Sequence, residues 1–161
     1  MIRPFKIEDI PQILDIYNYY VLNTTATFDL EVCQLEPFKE KLLGINANFP
    51  FFVFETDGEI LGYAYASKFR ERPAYNGTVE TTVYVKQKVH GKQFGTTLYA
   101  KLITQLKKEK YHMVLGVLTI PNNASVKLHE KFGFKQVADL KEVGFKFGQW
   151  LNVGFWQLKL Q

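Results

Sequence analysis

Cysteine occurs once in the 161 residues, as Cys33, so no internal disulfide can form and no multi-cysteine metal site can assemble. Histidine is almost as scarce. His90, His112 and His129 are scattered without partners close in sequence, and no metal site is expected. A Gly-x-Ser-x-Gly elbow is missing, which disfavours a serine hydrolase. Neither a P-loop ending in Gly-Lys-Ser/Thr nor a three-glycine dinucleotide fingerprint is present. No apolar run approaches a membrane span, and the opening "MIRPFKIEDI" has no apolar signal region. The expectation is a cytoplasmic protein without a membrane partner. Charge is not concentrated either: 20 Lys+Arg against 16 Asp+Glu give a net +4, spread without a basic block, so no nucleic-acid partner is expected. Linkers, repeats and low-complexity tracts are also lacking, and one domain spanning 1–161 is expected.

What the chain has in quantity is aromatic residues, 16% of the total. They are enough for a core and for an aromatic-lined pocket or partner surface. Met1–Pro4 reads as a short strand. Ile7, Ile10, Ile13, Leu14 and Tyr17 recur at helical spacing, and "VLNTTATFD" follows as a loop. Leu35–Ile45 reads as a second helix with Pro37 in its first turn. "PFFVFETDGEILGYAYASKF" is a hairpin turning at Asp57-Gly58, and "GTVETTVYV" is a further strand. Phe94, Leu98, Leu102 and Leu106 mark a long amphipathic helix, and "HMVLGVLTI" a buried-type strand. A helix capped by Asn122 or Asn123 ends before Gly133. The chain closes on two strands turning at Gly148, with Val-Gly-Phe repeated at 143–145 and 153–155. The order β-α-α-β-β-β-α-β-α-β-β predicts a mixed α/β layer structure.

Four places carry candidate chemistry. "HGKQFGTT" joins a strand to a helix, with Gly91, Gly95 and Lys92 near a helix N-terminus, an arrangement suited to phosphate; a plain tight connection explains the same residues. Glu80 stands inside a Thr/Val strand where acids are depleted, on one face with Thr82 and Tyr84. It fits a general base, or a solvent-facing residue of an edge strand. His129 shares a polar stripe with Asn122 and Ser125, opposite Ala124, Leu128 and Phe132, and is expected on the helix face that does not seek the core. Arg72 and Tyr75 precede the Glu80 strand on a loop held by Pro73, where an arginine can clamp a carboxylate or phosphonate.

Taken together, the element order, the glycine loop and "PNNASVKLHEKFGF" resemble the GNAT superfamily of N-acetyltransferases over essentially the whole chain. "RPAYNGTVETTVYV" and "GFKFGQWLNVGFWQLKL" are similar to its phosphinothricin or methionine sulfoximine N-acetyltransferase branch. The resemblance implies a mixed, splayed central sheet of about seven strands flanked by about four helices. It implies acetyl-CoA as donor, bound by the Val83, Tyr84 and Val85 backbone, by the loop His90, Gly91, Lys92, Gln93, Phe94, Gly95 and Thr96, and by Asn122 and Ser125. Here the loop departs from the family pattern: His90 replaces Arg or Gln, and Gln93 replaces a glycine, which costs on the order of 1 kcal/mol if that position needs φ > 0. Glu80 is implied as base through a water, with His129 sharing the acid–base work where many members use tyrosine. Direct transfer to a small amino-acid-like α-amine is implied, with Thr27, Phe28, Arg72 and Tyr75 around the acceptor and a homodimer closing the pocket. A non-catalytic acyl-CoA-binding module, or a transferase for an unrelated amine, fits the same residues.

Overall fold

The computed structural model describes residues 1–161. Seven strands form one mixed sheet in the order β1-β2-β3-β4-β5-β7-β6. These are β1 (Ile2–Pro4), β2 (Phe51–Thr56), β3 (Glu59–Lys68), β4 (Thr78–Val85), β5 (Met113–Ile120), β6 (Lys135–Lys146) and β7 (Gln149–Lys159). Four α-helices flank it: α1 (Ile10–Asn23), α2 (Leu35–Asn48), α3 (Phe94–Lys108) and α4 (Asn123–Lys131). The expected order and the splayed GNAT sheet are both present. No helix is long and apolar enough to cross a membrane.

Strand alternation sorts the core into two layers. Phe51, Val53, Tyr63, Tyr65 and Tyr84 point to one face, where Ile13, Tyr17 and Tyr20 of α1 and Phe38 and Leu42 of α2 cover them. Phe52, Ala64, Val79, Val114 and Trp156 point to the other, against Leu98, Leu102 and Leu106 of α3. Two helices run further than their residue types suggest. Val21, Leu22 and Asn23 are helical because Val21 is fully buried beside Tyr17 and Tyr20, and this packing outweighs its β-branched preference. The α2 helix likewise continues past Ile45 to Asn48. In the closing hairpin the two Val-Gly-Phe repeats do not face each other. Gly144 opposes Leu151 and Val153 opposes Leu140, because β6 carries irregularities between Gln136 and Ala138 and between Leu140 and Gly144.

The feature that shapes the site is a fork. β4 and β5 are parallel and pair only at Thr78–Glu80 with Met113–Leu115. Beyond that point Thr81 Oγ1 donates to the Leu115 carbonyl at 3.3 Å and bonds the Tyr99 hydroxyl at 2.6 Å. These bonds satisfy polar groups where the ladder stops. On its other side β4 keeps its antiparallel pairing with β3, and Lys86 N–H donates to Leu61 C=O. The alternation of such a ladder turns the amides and carbonyls of Val83 and Val85 toward the open fork.

Gln93 sits at the N-cap of α3 with φ 63°, so a side chain occupies a left-handed position, and it makes no capping bond. A non-glycine residue there costs about 1–2 kcal/mol, offset by about 0.5–1 kcal/mol of glycine's unfolded-state freedom. Gln93→Gly is therefore expected to raise the melting temperature by about 1–4 °C in a thermal scan. A lower melting temperature would show that Gln93 is not strained in place.

Candidate active site

The fork opens into two adjoining cavities of about 340 and 80 Å³. Val83, Tyr84 and Val85 form one wall of the larger, and Asn122, Ala124, Ser125 and Leu128 at the start of α4 form the other. The loop before α3 closes its end with His90, Gly91, Gln93, Phe94, Gly95 and Thr96. The smaller cavity lies deeper in the fork, lined by Thr81, Thr82, Val117, Thr119 and His129. Ala26, Val83, Tyr84, Asn122 and Ser125 border both.

Tyr20 belongs to this site although its spacing on α1 marks it only as core. Its hydroxyl donates to the Val85 carbonyl and lies 2.6 Å from His90 Nε2. The hydroxyl has one proton, so His90 Nε2 is the donor to its oxygen. One Val85 group is thereby taken, leaving the Val83 amide and carbonyl and the Val85 amide on the fork edge. The only sequence signal for this was that a buried tyrosine needs a partner for its hydroxyl.

At the loop, Gly91 has φ 82° and the first-turn amides of α3 have no intrahelical partners. Anions favour such a helix N-terminus. The basic character of the segment is partly spent elsewhere: Lys88 and Lys86 both bond Glu59. Lys92 is exposed and lines neither cavity. Asn122 accepts from the Ser125 amide at 3.2 Å, so it caps α4 while facing the cavity.

His129 overturns its expected placement. It is 2% exposed, because α4 lays it onto Gly116 of β5. A Cβ at Gly116 would stand 2.4 Å from the imidazole, so the absent side chain makes the room that helical periodicity could not reveal. Tyr99 and Phe134 meet the ring edge-on at 5.1 and 5.0 Å. Nδ1 lies 2.7 Å from the Ser125 carbonyl, which can only accept, so Nδ1 carries the proton. Burial lowers the pKa, favouring a neutral ring whose lone pair sits on Nε2.

Glu80 stands in a central strand, between β3 and β5, and not at an edge. It shares a face with Thr82 and Tyr84, opposite the Gly116–His129 face, and lines neither cavity. Burial raises its carboxyl above the ordinary range. Glu80 and His129 thus approach the fork from opposite sides of the sheet. Arg72 is exposed on the β3–β4 connection, and Tyr75 stacks edge-on with Phe69 at 5.5 Å. Thr27 and Phe28 lie on the α1–α2 loop. Thr27 Oγ1 bonds the Tyr17 hydroxyl at 2.8 Å, and Phe28 packs on Gly144. None of these four lines the two cavities. No three His, Cys, Asp or Glu side chains gather where they could hold a metal ion.

Residues 2–153 match the model of the acetyltransferase (GNAT) domain family. The chain is 40% identical to a phosphinothricin N-acetyltransferase of Streptomyces coelicolor, covering 99% of this chain and 95% of that protein. It is 35% identical to an L-methionine sulfoximine/L-methionine sulfone acetyltransferase of Pseudomonas aeruginosa, over 99% and 94%. The solved structure of a GNAT superfamily phosphinothricin acetyltransferase from Sinorhizobium meliloti in complex with AcCoA superposes with a TM-score of 0.95 at 30% identity, covering 99% and 87%. The forked sheet and these matches along nearly the full length agree: the chain belongs to the GNAT acetyltransferase family.

Proposed function

We propose that the protein is an acetyl-CoA-dependent N-acetyltransferase acting on the α-amine of a small amino-acid-like acceptor of the phosphinothricin, methionine sulfoximine or methionine sulfone type. The observation that carries this reading is the fork: an unpaired edge at Val83 and Val85 beside a cavity that ends at a helix N-terminus. An extended amide-bearing arm fits the edge, and a pyrophosphate fits the amides of Phe94, Gly95 and Thr96. His90, Gly91, Lys92 and Gln93 form the bend over it, and Asn122 and Ser125 face the arm from α4. The relatives' acceptors supply the substrate class.

In this reading acetyl-CoA supplies the activated acyl group, and the chain's own residues align the amine and move its proton. Glu80 takes the proton from the acceptor side of the sheet, directly or through a water. His129 starts neutral with its lone pair on Nε2, so it must gain a proton before it can give one to the departing sulfur. It is a relay within the fork, not a standing acid. Arg72 and Tyr75 face the acceptor's acidic groups, with Thr27 and Phe28 on the opposite lip.

Exposed apolar side chains on the hairpin turn, among them Phe145, Phe147 and Trp150, suit a homodimer in which the second copy closes the acceptor side. Sedimentation velocity at micromolar concentration is expected to show a dimer that Trp150→Glu weakens. A monomeric wild type contradicts that assembly.

Glu80→Gln is expected to lower kcat about 10²-fold or more with acetyl-CoA affinity nearly unchanged, read by CoA release and by calorimetry. Unchanged turnover removes Glu80 from the mechanism, and tight acetyl-CoA binding with no transfer to any amine favours a binding module. Both bases must start unprotonated. The lowered value of His129 keeps its ring neutral to below its ordinary 6.5, while the raised value of Glu80 moves its protonation above its ordinary 4.5. Acid therefore protonates Glu80 earlier than an ordinary carboxylate and His129 later than an ordinary imidazole. The ratio kcat/KM is expected to fall on the acid side of 6.5 and to be well down by pH 4.5. A profile flat down to pH 4 contradicts these roles.

A further inference from the structure

Lys146 is the most unusual ionisable group that acetyl transfer leaves unused. It is 2% exposed, its ammonium donates one hydrogen bond, Nζ to the Thr27 carbonyl at 2.8 Å, and it lies 5.0 Å from the Phe147 ring centroid. Burying an ammonium is costly, and here the Thr27 carbonyl and the nearby charge of Asp29 offset that cost. Its location shows what the bond holds in place.

Strand register places it on the acceptor face. Glu80 opposes Leu115 in the parallel pair, and Thr119 lies on the same side of β5 four residues on. Thr119 opposes Val153, Leu151 opposes Gly144, and Lys146 opposes Gln149. Glu80, Thr119, Leu151, Gly144 and Lys146 thus share one side of the sheet. The α1–α2 loop packs onto that side at two adjacent points. Lys146 holds the Thr27 carbonyl, and Phe28 lies against Gly144, where a Cβ would come within 2.2 Å of the phenyl ring. The next residue back, Ala26, borders both fork cavities. The rest of the loop is tied to α1: Tyr17 donates to Asp29, and Asn18 bonds both the amide and the carbonyl of Cys33.

We infer that Lys146 is a positioning residue for the acceptor: with Gly144 it latches the α1–α2 loop to the closing hairpin, so that Ala26, Thr27 and Phe28 stand as a fixed lip over the Glu80 face. The inference rests on the acetyl-transfer reading for its kinetic consequences and on packing alone for its mechanical ones. Lys146→Met removes the donor and the charge while keeping length. Gly144→Ala leaves Lys146 intact and displaces Phe28, an independent route to the same loosened lip. Lys146→Arg retains a donor.

With methionine sulfone as the acceptor probe, Lys146→Met and Gly144→Ala are each expected to raise acceptor KM about tenfold, with the KM for acetyl-CoA within about twofold. Lys146→Arg is expected to recover part of the loss. Lys146→Met leaves the Thr27 carbonyl without this donor and is expected to lower the melting temperature modestly, so the split between the two KM values, and not melting, separates positioning from a purely structural role. Amide hydrogen exchange over residues 24–34 in the free protein is expected to quicken about tenfold in both variants. Unchanged acceptor KM in Lys146→Met overturns the proposal, as does an equal rise in both KM values with a lowered melting temperature. Should wild type transfer acetyl to no acceptor, the acetyl-transfer reading has failed by itself. Exchange then decides Lys146 alone, and an unchanged rate over 24–34 overturns the latch.

Discussion

A ladder that stops after three residues governs this molecule. Parallel strands ordinarily pair along their length, and β4 and β5 part at Thr81. The parting is tolerable because side chains take up two of the carbonyls it would orphan. Thr81, itself bonded by the Tyr99 hydroxyl, takes up the Leu115 carbonyl, and Tyr20 takes up the carbonyl of Val85. What remains unpaired is a short run of strand edge facing a cavity. An edge of this kind invites any extended peptide-like arm, and the walls of the fork limit entry to something narrow.

The same parting makes the sheet permeable at one point. Elsewhere the sheet separates the α1/α2 layer from the α3/α4 layer, each with its own core. At the fork, a group on one side can reach a group on the other. Glu80 and His129 stand on opposite sides of the sheet beside this opening, and their surroundings shift them in opposite senses, the carboxyl up and the imidazole down. Both shifts have one cause, burial disfavouring charge.

Much of this was legible in the residues. Period and turn signals mark every strand and helix, and the alternation of Glu80, Thr82 and Tyr84 assigns their shared face correctly. The loop from His90 to Thr96 stands where its glycines and the following helix suggest. Four features were not legible, three of them because they depend on a partner distant in the chain. His129 is buried through Gly116, thirteen positions earlier on another element, so helical periodicity alone assigned it to the wrong face. Tyr20 reaches Val85 across 65 residues, and Lys146 reaches Thr27 across 119. The φ of Gln93 is fixed by how the strand must turn into α3, which no propensity encodes.

Gly116 and His129 occupy one volume between them. The ring fills what the glycine vacates, and the Ser125 carbonyl then selects the tautomer of that ring. Proton location in the fork is consequently inherited from steric fit: a methyl group added to β5 would displace the imidazole and with it the lone pair. The glycine is thus an indirect determinant of where that ring holds its proton, acting through the space it leaves empty.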